Sequence, residues 1–143
     1  MIFREMTQQD LNEVVQLEQL CFKEPWTKEN CLYELNENPF SHGWLLIDET
    51  IVGYAFLWET FEMAQLARIG INPQARKKGY GDVLLKHLIN RAKEQECEFM
   101  TLDVRVSNEA ALRLYQKNEF IQVNVSKGYY PDGEDAIVMT RAL

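Results

Sequence analysis

Residues 66–92, LARIGINPQARKKGYGDVLLKHLINRA, constrain the fold more than any other stretch of the chain. The first part is apolar and β-branched and predicts a strand, which ends at Asn72-Pro73 because the residue before a proline avoids the helical conformation. The apolar residues of the last part share one face of a helix: Val83, Leu84, Leu85, Leu88, Ile89 and Ala92. This spacing predicts an amphipathic helix directly after the strand and a short turn.

The turn between that strand and that helix is basic and rich in glycine, and we call residues 76–82 the basic loop. Glycines at the start of a helix leave the backbone N–H groups open to a ligand. These groups, the positive end of the helix dipole and three cations predict a pyrophosphate site. The loop lacks the Lys-Ser or Lys-Thr of a P-loop and the third glycine of a dinucleotide fingerprint. The alternative interpretation is a solvated basic turn.

Length and composition limit the class of protein. The 143 residues are 46% hydrophobic, which predicts one globular domain over 1–143. A net charge of −7 argues against nucleic acid as a partner and either serves solubility or attracts a basic substrate. No signal peptide or apolar run of about 18 residues is visible, so we expect a cytoplasmic protein without a membrane partner. Three scattered cysteines and two isolated histidines predict no metal site, and we expect a monomer or weak dimer.

Periodicity and turn signals predict the element order β-αα-βββ-α-β-α-ββ, which is a mixed α/β sheet with helices on its faces. The predicted strands are 2–6, 43–48, 51–59, 63–71, 98–106, 120–127 and 136–139. Thr7 and Asp10 predict the start of the first helix. Its predicted apolar face is Leu11, Val14, Val15, Leu17, Leu20 and Cys21. A second helix is predicted through about residue 35 with Thr27 as its cap, and another over 108–117.

Two residues in the second half of the chain are candidates for catalysis. Polar and apolar residues alternate along 98–106, so Thr101, Asp103 and Arg105 share one face of that strand. Either Asp103 pairs with Arg105 on a solvated face, or the row lines a cleft in which Asp103 accepts a proton from an attacking amine. Tyr115 falls on or beside the inward face of the next helix, and the pattern alone favours an ordinary half-buried aromatic residue.

The spacing Arg76-x-x-Gly79-x-Gly81, the element order and residues 107–115 (SNEAALRLY) resemble the GNAT acetyltransferase superfamily. The resemblance covers nearly the whole chain. It implies the GNAT fold, a mixed and mostly antiparallel sheet whose parallel strands, 63–71 and 98–106, splay apart around acetyl-CoA. It also implies that the acceptor amine attacks the thioester directly, without a covalent enzyme intermediate.

The same resemblance implies roles for the residues that match GNAT motifs. Tyr115 would protonate the departing CoA thiolate, Asp103 would assist deprotonation of the amine, and Asn108, itself a good N-cap, would also bond the cofactor arm. The pantetheine would be held by the backbone of Ile69, Gly70 and Ile71. The pyrophosphate would be held by Arg76, Lys77, Lys78, Gly79, Tyr80, Gly81 and Asp82.

Three further segments resemble the ribosomal-protein-alanine N-acetyltransferase (RimI) branch: FKEPWT at 22–27, LDVRVSN at 102–108, and YYP with EDAIVM within 129–139. This implies a protein N-terminal α-amine as acceptor, most specifically the N-terminal alanine of a small-subunit ribosomal protein. Tyr129 and Tyr130 would cover the peptide N-terminus beside the thioester; the alternative is packing at the edge of the sheet.

One position departs from that branch, because Asp103 stands where the branch has glutamate. The shorter side chain makes a bridging water the expected route to the amine. An α-amine is roughly a tenth or more neutral at pH 7, whereas a lysine is neutral only about four times in ten thousand. A weak base therefore suits an N-terminal acceptor. The rival hypotheses are a GNAT enzyme acting on lysine or a small polyamine, and a non-catalytic acyl-CoA-binding or ribosome-associated module.

Overall fold

The computed structural model describes all 143 residues, which form one seven-stranded sheet flanked by four helices. The strands are β1 Ile2–Glu5, β2 Ser41–Asp48, β3 Thr50–Thr60, β4 Met63–Ile71, β5 Phe99–Arg105, β6 Ile121–Ser126 and β7 Ala136–Ala142. The helices are α1 Leu11–Cys21, α2 Lys28–Asn36, α3 Tyr80–Glu94 and α4 Glu109–Lys117. The predicted element order is confirmed, although β7 continues three residues beyond its predicted end.

The strands lie in the order β1-β2-β3-β4-β5-β7-β6, and every neighbouring pair is antiparallel except β4 with β5. That parallel pairing covers only Met63, Ala64 and Gln65 against Phe99, Met100 and Thr101. Beyond these three pairs the two strands diverge, which confirms the predicted splayed pair. A gap therefore opens in the middle of the sheet toward the C-terminal ends of β4 and β5.

A β-bulge explains where the gap begins. Leu66 pairs with Leu57 and Arg68 pairs with Phe56, so Ala67 is an extra residue in β4 without a partner in β3. A bulge bends its strand and increases the local twist. The pairing of β4 with β5 stops at Gln65, two residues before the bulge, and the bend carries the rest of β4 away from β5.

Apolar side chains cover both faces of the sheet. The larger cluster includes the buried stripe of α3, where Val83 is the one predicted member that is only half-buried. The smaller cluster packs α1 and α2 against the opposite face. Leu20 was predicted to face this cluster, but 63% of its surface is exposed. It lies nine residues after the buried Leu11, which places it about half a turn away around the helix.

Candidate active site

The pairing of β4 with β3 decides which backbone groups face the gap. Asn72 N–H donates to the Val52 carbonyl at 2.9 Å, which makes these two residues a hydrogen-bonded antiparallel pair. Because such pairs alternate along a ladder, Gly70 is also turned toward β3, whereas Ile69 and Ile71 are turned away from it. Of the three residues predicted to hold the pantetheine, Ile69 and Ile71 therefore direct their N–H and C=O groups into the gap.

Gly70 contributes to the site through its missing side chain. A Cβ atom there would lie 2.6 Å from the ring of Tyr54, so only glycine lets this buried tyrosine pack across β4. The carbonyl of Ile71 already has two donors, the Cys21 thiol at 3.4 Å and Arg76 Nε at 3.2 Å. The Arg76 side chain is thus folded back over the end of β4, beside a cysteine that borders the gap.

The basic loop presents a series of free backbone donors. The first helical hydrogen bond of α3 runs from Val83 N–H to the Gly79 carbonyl at 3.1 Å, and none of the N–H groups of residues 77–82 has a partner within the chain. Lys77 and Gly79 are in the left-handed conformation, with φ of 65° and 83°. Alternation of left-handed and right-handed residues turns successive N–H groups toward a common point and forms an anion-binding concavity. The loop therefore offers the six backbone N–H groups of residues 77–82 to a ligand.

Two side chains of the loop support it from behind. The Tyr80 hydroxyl donates to Asp48, and the Asp82 carboxylate accepts from Lys86 at 2.6 Å and from Asn118 at 2.9 Å. Both side chains are therefore hydrogen-bonded within the protein, whereas the backbone N–H groups of the same two residues have no partner and can bind a ligand. A pocket of about 390 Å³ opens beside the loop, with Lys78 and Tyr80 in its wall.

Asp103 is exposed on β5, and Arg105 does not pair with it. The alternative that Asp103 and Arg105 form an ion pair along the strand is therefore wrong. Side chains two residues apart on a strand share a face but are separated by about 7 Å along it. The guanidinium contacts carboxylates on two loops instead, and no cation forms an ion pair with Asp103.

Arg105 joins the two loops on this side of the sheet. It contacts Glu24, between α1 and α2, at 2.6 Å, and it contacts Asp132 at 3.0 Å and Glu134 at 2.8 Å, both between β6 and β7. Its guanidinium also lies 4.1 Å from the centre of the Tyr130 ring. Hydrogen bonds to Ser107 and Arg105 lower the pKa of Glu134. This arginine therefore fixes the loop that carries the predicted tyrosine pair.

Tyr129 and Tyr130 pack edge to face, with ring centres 5.0 Å apart. Burial first, and next the negative charge of Asp103, raise the pKa of Tyr130 to about 12. Burial first, then the negative charge of Asp103 and a hydrogen bond to it, raise the pKa of Tyr129. Because Asp103 acts on both hydroxyls, the structure brings the predicted base and the predicted acceptor-binding tyrosines together.

Tyr115 belongs to the larger apolar cluster, on the face of the sheet that α3 covers. It is 5% exposed and packs against Phe120 with ring centres 5.8 Å apart. Burial raises the pKa of Tyr115, and the neighbouring Tyr130 raises it further. The hydroxyl has no hydrogen-bond partner in the chain. Tyr115 is therefore fully protonated at neutral pH, with its proton available to a ligand.

Asn108 caps α4 as predicted. Its side-chain oxygen accepts from Ala111 N–H at 3.2 Å, and the adjacent Ser107 N–H donates to Glu134 at 2.9 Å. The side-chain amide of Asn108 donates to nothing in the chain, so the cap uses only half of its hydrogen-bonding capacity. That amide is free to meet a ligand at the mouth of the gap.

The sequence analysis missed a buried ionic network beneath these loops. Glu18 is completely buried and accepts hydrogen bonds from Tyr54, from Arg68 at 3.0 Å and from Trp26 N–H at 2.7 Å. Arg68 also stacks on Phe22, 3.8 Å from the ring centre. The signal was present, because Glu18 shares the helical face of Leu11 and Val14, but one carboxylate within an apolar stripe does not reveal its partners.

The comparisons with known proteins agree with this geometry. Residues 11–120 match the family model described as "Acetyltransferase (GNAT) family". A Bacillus subtilis protein with the provisional name ribosomal protein bS18-alanine N-acetyltransferase is 36% identical over 139 residues, which is 95% of this chain and 91% of that protein. The Salmonella typhimurium ribosomal protein bS18-alanine N-acetyltransferase is 30% identical over 91% of this chain and 89% of that protein.

Similarity to solved structures extends to the ends of the chain. The crystal structure of the ribosomal-protein-S18-alanine N-acetyltransferase from Escherichia coli superposes with a TM-score of 0.90 at 27% sequence identity. The match covers 99% of this chain and 92% of that one. No helix here is long and apolar enough to cross a membrane, and no group of three or more His, Cys, Asp or Glu side chains is placed to hold a metal ion.

Proposed function

Because the chain belongs to the acetyltransferase (GNAT) family, we propose that it transfers the acetyl group of acetyl-CoA to a protein N-terminal α-amine. The acceptor in this proposal is the N-terminal alanine of a small-subunit ribosomal protein. The observation that carries it is the gap between β4 and β5. The basic loop follows the C-terminal end of β4, and in this proposal Asp103, Tyr115 and the tyrosine pair surround the reacting carbonyl.

In this proposal acetyl-CoA lies along the gap. Its pyrophosphate accepts hydrogen bonds from the free N–H groups of residues 77–82, assisted by Lys77 and Lys78. Its pantetheine arm takes the place of a missing strand, pairing with the exposed N–H and C=O groups of Ile69 and Ile71. Arg76 then leaves the Ile71 carbonyl, which frees that acceptor for the arm and the guanidinium for a phosphate.

The chemistry requires one proton to leave the acceptor and one to reach the leaving group. The neutral amine attacks the thioester carbonyl carbon, a C–N bond forms, and the C–S bond breaks. Before the attack, Asp103 takes one proton through a water from the ammonium form of the acceptor. After the attack, the proton that the bonded nitrogen loses replaces the one that Tyr115 gives to the departing sulfur. Since burial raises the pKa of Tyr115, a hydrogen bond that stabilises the thiolate accounts for more of the effect than complete transfer.

The environment of Asp103 favours an α-amine over a lysine amine. Asp103 is exposed to solvent, and its side chain is one methylene shorter than that of a glutamate. An α-amine needs little help, because about a tenth of it is neutral at pH 7. The two relatives named above are called alanine N-acetyltransferases, and both align over about nine-tenths of this chain or more. These observations rank the N-terminal acceptor above lysine and small polyamines.

The test is acetyl transfer from acetyl-CoA to a short peptide that begins with alanine. The matched control is the same peptide with a blocked N-terminus and one free lysine, and spermidine serves as a third acceptor. We expect transfer to the first peptide only. Transfer to the blocked peptide or to spermidine would show that the acceptor is a lysine or a polyamine instead. Tight acetyl-CoA binding without any transfer would indicate a binding module.

A further inference from the structure

A small open pocket lies beside helix α2. Its volume is about 180 Å³, and four residues line it: Trp26, Asn30, Tyr33 and Glu34. Tyr33 is 57% exposed, whereas Glu34 is only 5% exposed. The lining therefore combines one exposed aromatic residue, one half-buried aromatic residue and one buried glutamate.

The carboxylate of Glu34 is buried without a cation. It accepts hydrogen bonds from Asn38 and Ser41, both at 3.2 Å, and from the indole N–H of Trp58. All three donors are neutral, and no lysine, arginine or histidine forms an ion pair with it. A buried charge of this kind is costly unless it is paired.

Glu18, the completely buried carboxylate in the same half of the molecule, shows the contrast. Glu18 is paired with Arg68 at 3.0 Å and does not line this pocket. Glu34 instead has no cation of its own chain and faces an opening to solvent. The missing partner can therefore come from outside, and the ligand that fits is a cation.

The aromatic walls narrow the class of cation. A lysine ammonium or arginine guanidinium over the face of a tryptophan or tyrosine gains cation–π energy, and a carboxylate at the end of the pocket adds a charge-assisted hydrogen bond. Trp26 and Tyr33 supply the rings, and Glu34 supplies the carboxylate. A pocket of about 180 Å³ matches one side chain rather than a whole cofactor.

The pocket also lies next to the route of the proposed acceptor. The Trp26 ring is 5.0 Å from the guanidinium of Arg68. Arg68 is bonded to the Glu24 carbonyl at 2.8 Å, and the Glu24 side chain is bonded to Arg105 beneath Tyr130. An extended peptide advances about 3.3–3.6 Å per residue. If the first residue of the acceptor lies under Tyr130, Trp26 is within reach of the next few residues of that peptide.

We propose that this pocket binds a lysine or arginine side chain of the acceptor, a few residues after its acetylated N-terminus. The inference rests on the proposed function, because it places the acceptor peptide across this face. It names a second determinant of specificity, a basic side chain, in addition to the free α-amine. It also gives part of the acidity of the chain a specific role toward a basic acceptor.

The test compares peptides that begin with alanine and carry a single lysine at position 2, 3, 4 or 5, each beside the peptide with glutamine at that position. We expect lysine to lower the acceptor KM by about tenfold at one position, with little change in kcat. Glu34→Gln should remove this preference, while Glu29→Gln, the same change at an exposed site on α2, should retain it. Thermal denaturation of both variants checks that they fold.

A binding measurement separates this inference from the proposed function. The lysine peptides with acetylated N-termini cannot react at the α-amine, and their affinity is measured by tryptophan fluorescence. One outcome is that these peptides bind the native chain but not Glu34→Gln, while no alanine peptide is acetylated. The proposed function would then be wrong, and the pocket proposal would be supported. If alanine peptides are acetylated with equal KM for lysine and glutamine at every position, or the preference survives in Glu34→Gln, the pocket proposal is wrong.

Discussion

At the scale of single residues, the hydroxyl of Tyr115 can be tested without disturbing its surroundings. Tyr115→Phe keeps the buried ring and its contact with Phe120 and removes one hydroxyl that has no partner in the chain. We expect kcat to fall roughly a hundredfold or more, as for loss of a general acid, with the Kd for acetyl-CoA unchanged.

The pH dependence of the native protein gives an independent check on Tyr115. An acid must be protonated to act, and because burial raises the pKa of Tyr115, its proton is retained up to and beyond the ordinary tyrosine value of about 10. The rate should therefore rise as the acceptor amine loses its proton and should show no falling limb below about pH 10. A fall between pH 8 and 9 that Tyr115→Phe abolishes would contradict this reasoning.

Asp103 is predicted to contribute less to the rate than Tyr115 does, and only at low pH. If its function is to take the amine proton through a water, Asp103→Asn can cost about tenfold at pH 7, since roughly a tenth of an α-amine is already neutral there. The loss should shrink toward zero at pH 9. The measurement is kcat/KM against pH for both proteins. A hundredfold loss that is independent of pH would show that Asp103 binds or orients the acceptor.

At the scale of elements, the contribution of the backbone conformation of the basic loop can be tested without introducing a steric clash. Gly79 has a φ of 83° and Gly128 a φ of 63°, and a Cβ atom at either position would meet nothing within 4 Å. Alanine at each costs about 1–2 kcal/mol of backbone strain. Both variants should unfold a few degrees earlier, but only Gly79→Ala should also weaken acetyl-CoA binding in calorimetry. Equal affinities in the two variants would exclude the loop as the phosphate site.

Elements built from local signals were predictable from the sequence. The strand Met63–Ile71 has its predicted bounds, because alternation and Asn72-Pro73 both act within a few residues. The Thr27 cap of α2 and the Asn108 cap of α4 follow the same logic. The interior of the site was less predictable: the alternation of hydrogen bonds that turns Gly70 away from the gap depends on the register with β3, which no local pattern reveals.

At the scale of the whole molecule, the missed contacts join residues far apart in the chain. Arg105 holds Glu24, which lies 81 residues away, and Asp132, which lies 27 residues away. Arg68 and Glu18 are 50 residues apart. Charged residues in an acidic, polar background look alike in a sequence, and only the fold selects which carboxylates meet which arginine. The splayed strands followed from the resemblance, whereas the loops fastened across their ends required the structure.

The same topology predicts how acetyl-CoA changes the stability of the whole chain. Strands β1 to β4 and strands β5 to β7 are joined by a parallel ladder of only three residue pairs. A ligand that pairs with Ile69 and Ile71 bridges the two parts, and it binds the folded state alone. At a hundredfold excess over Kd it adds about 2.7 kcal/mol, which raises Tm by roughly 10 °C for a chain of this size.

Thermal denaturation with and without acetyl-CoA measures this shift, and hydrogen exchange locates it. Protection should increase at the amides of Ile69, Ile71 and residues 77–82, because these N–H groups have no partner in the free protein and gain one when the ligand binds. ATP is the control, since it carries phosphates without a pantetheine arm. If ATP raises Tm as much as acetyl-CoA does, the gap between β4 and β5 contributes nothing to binding, and the basic loop alone is a general phosphate site.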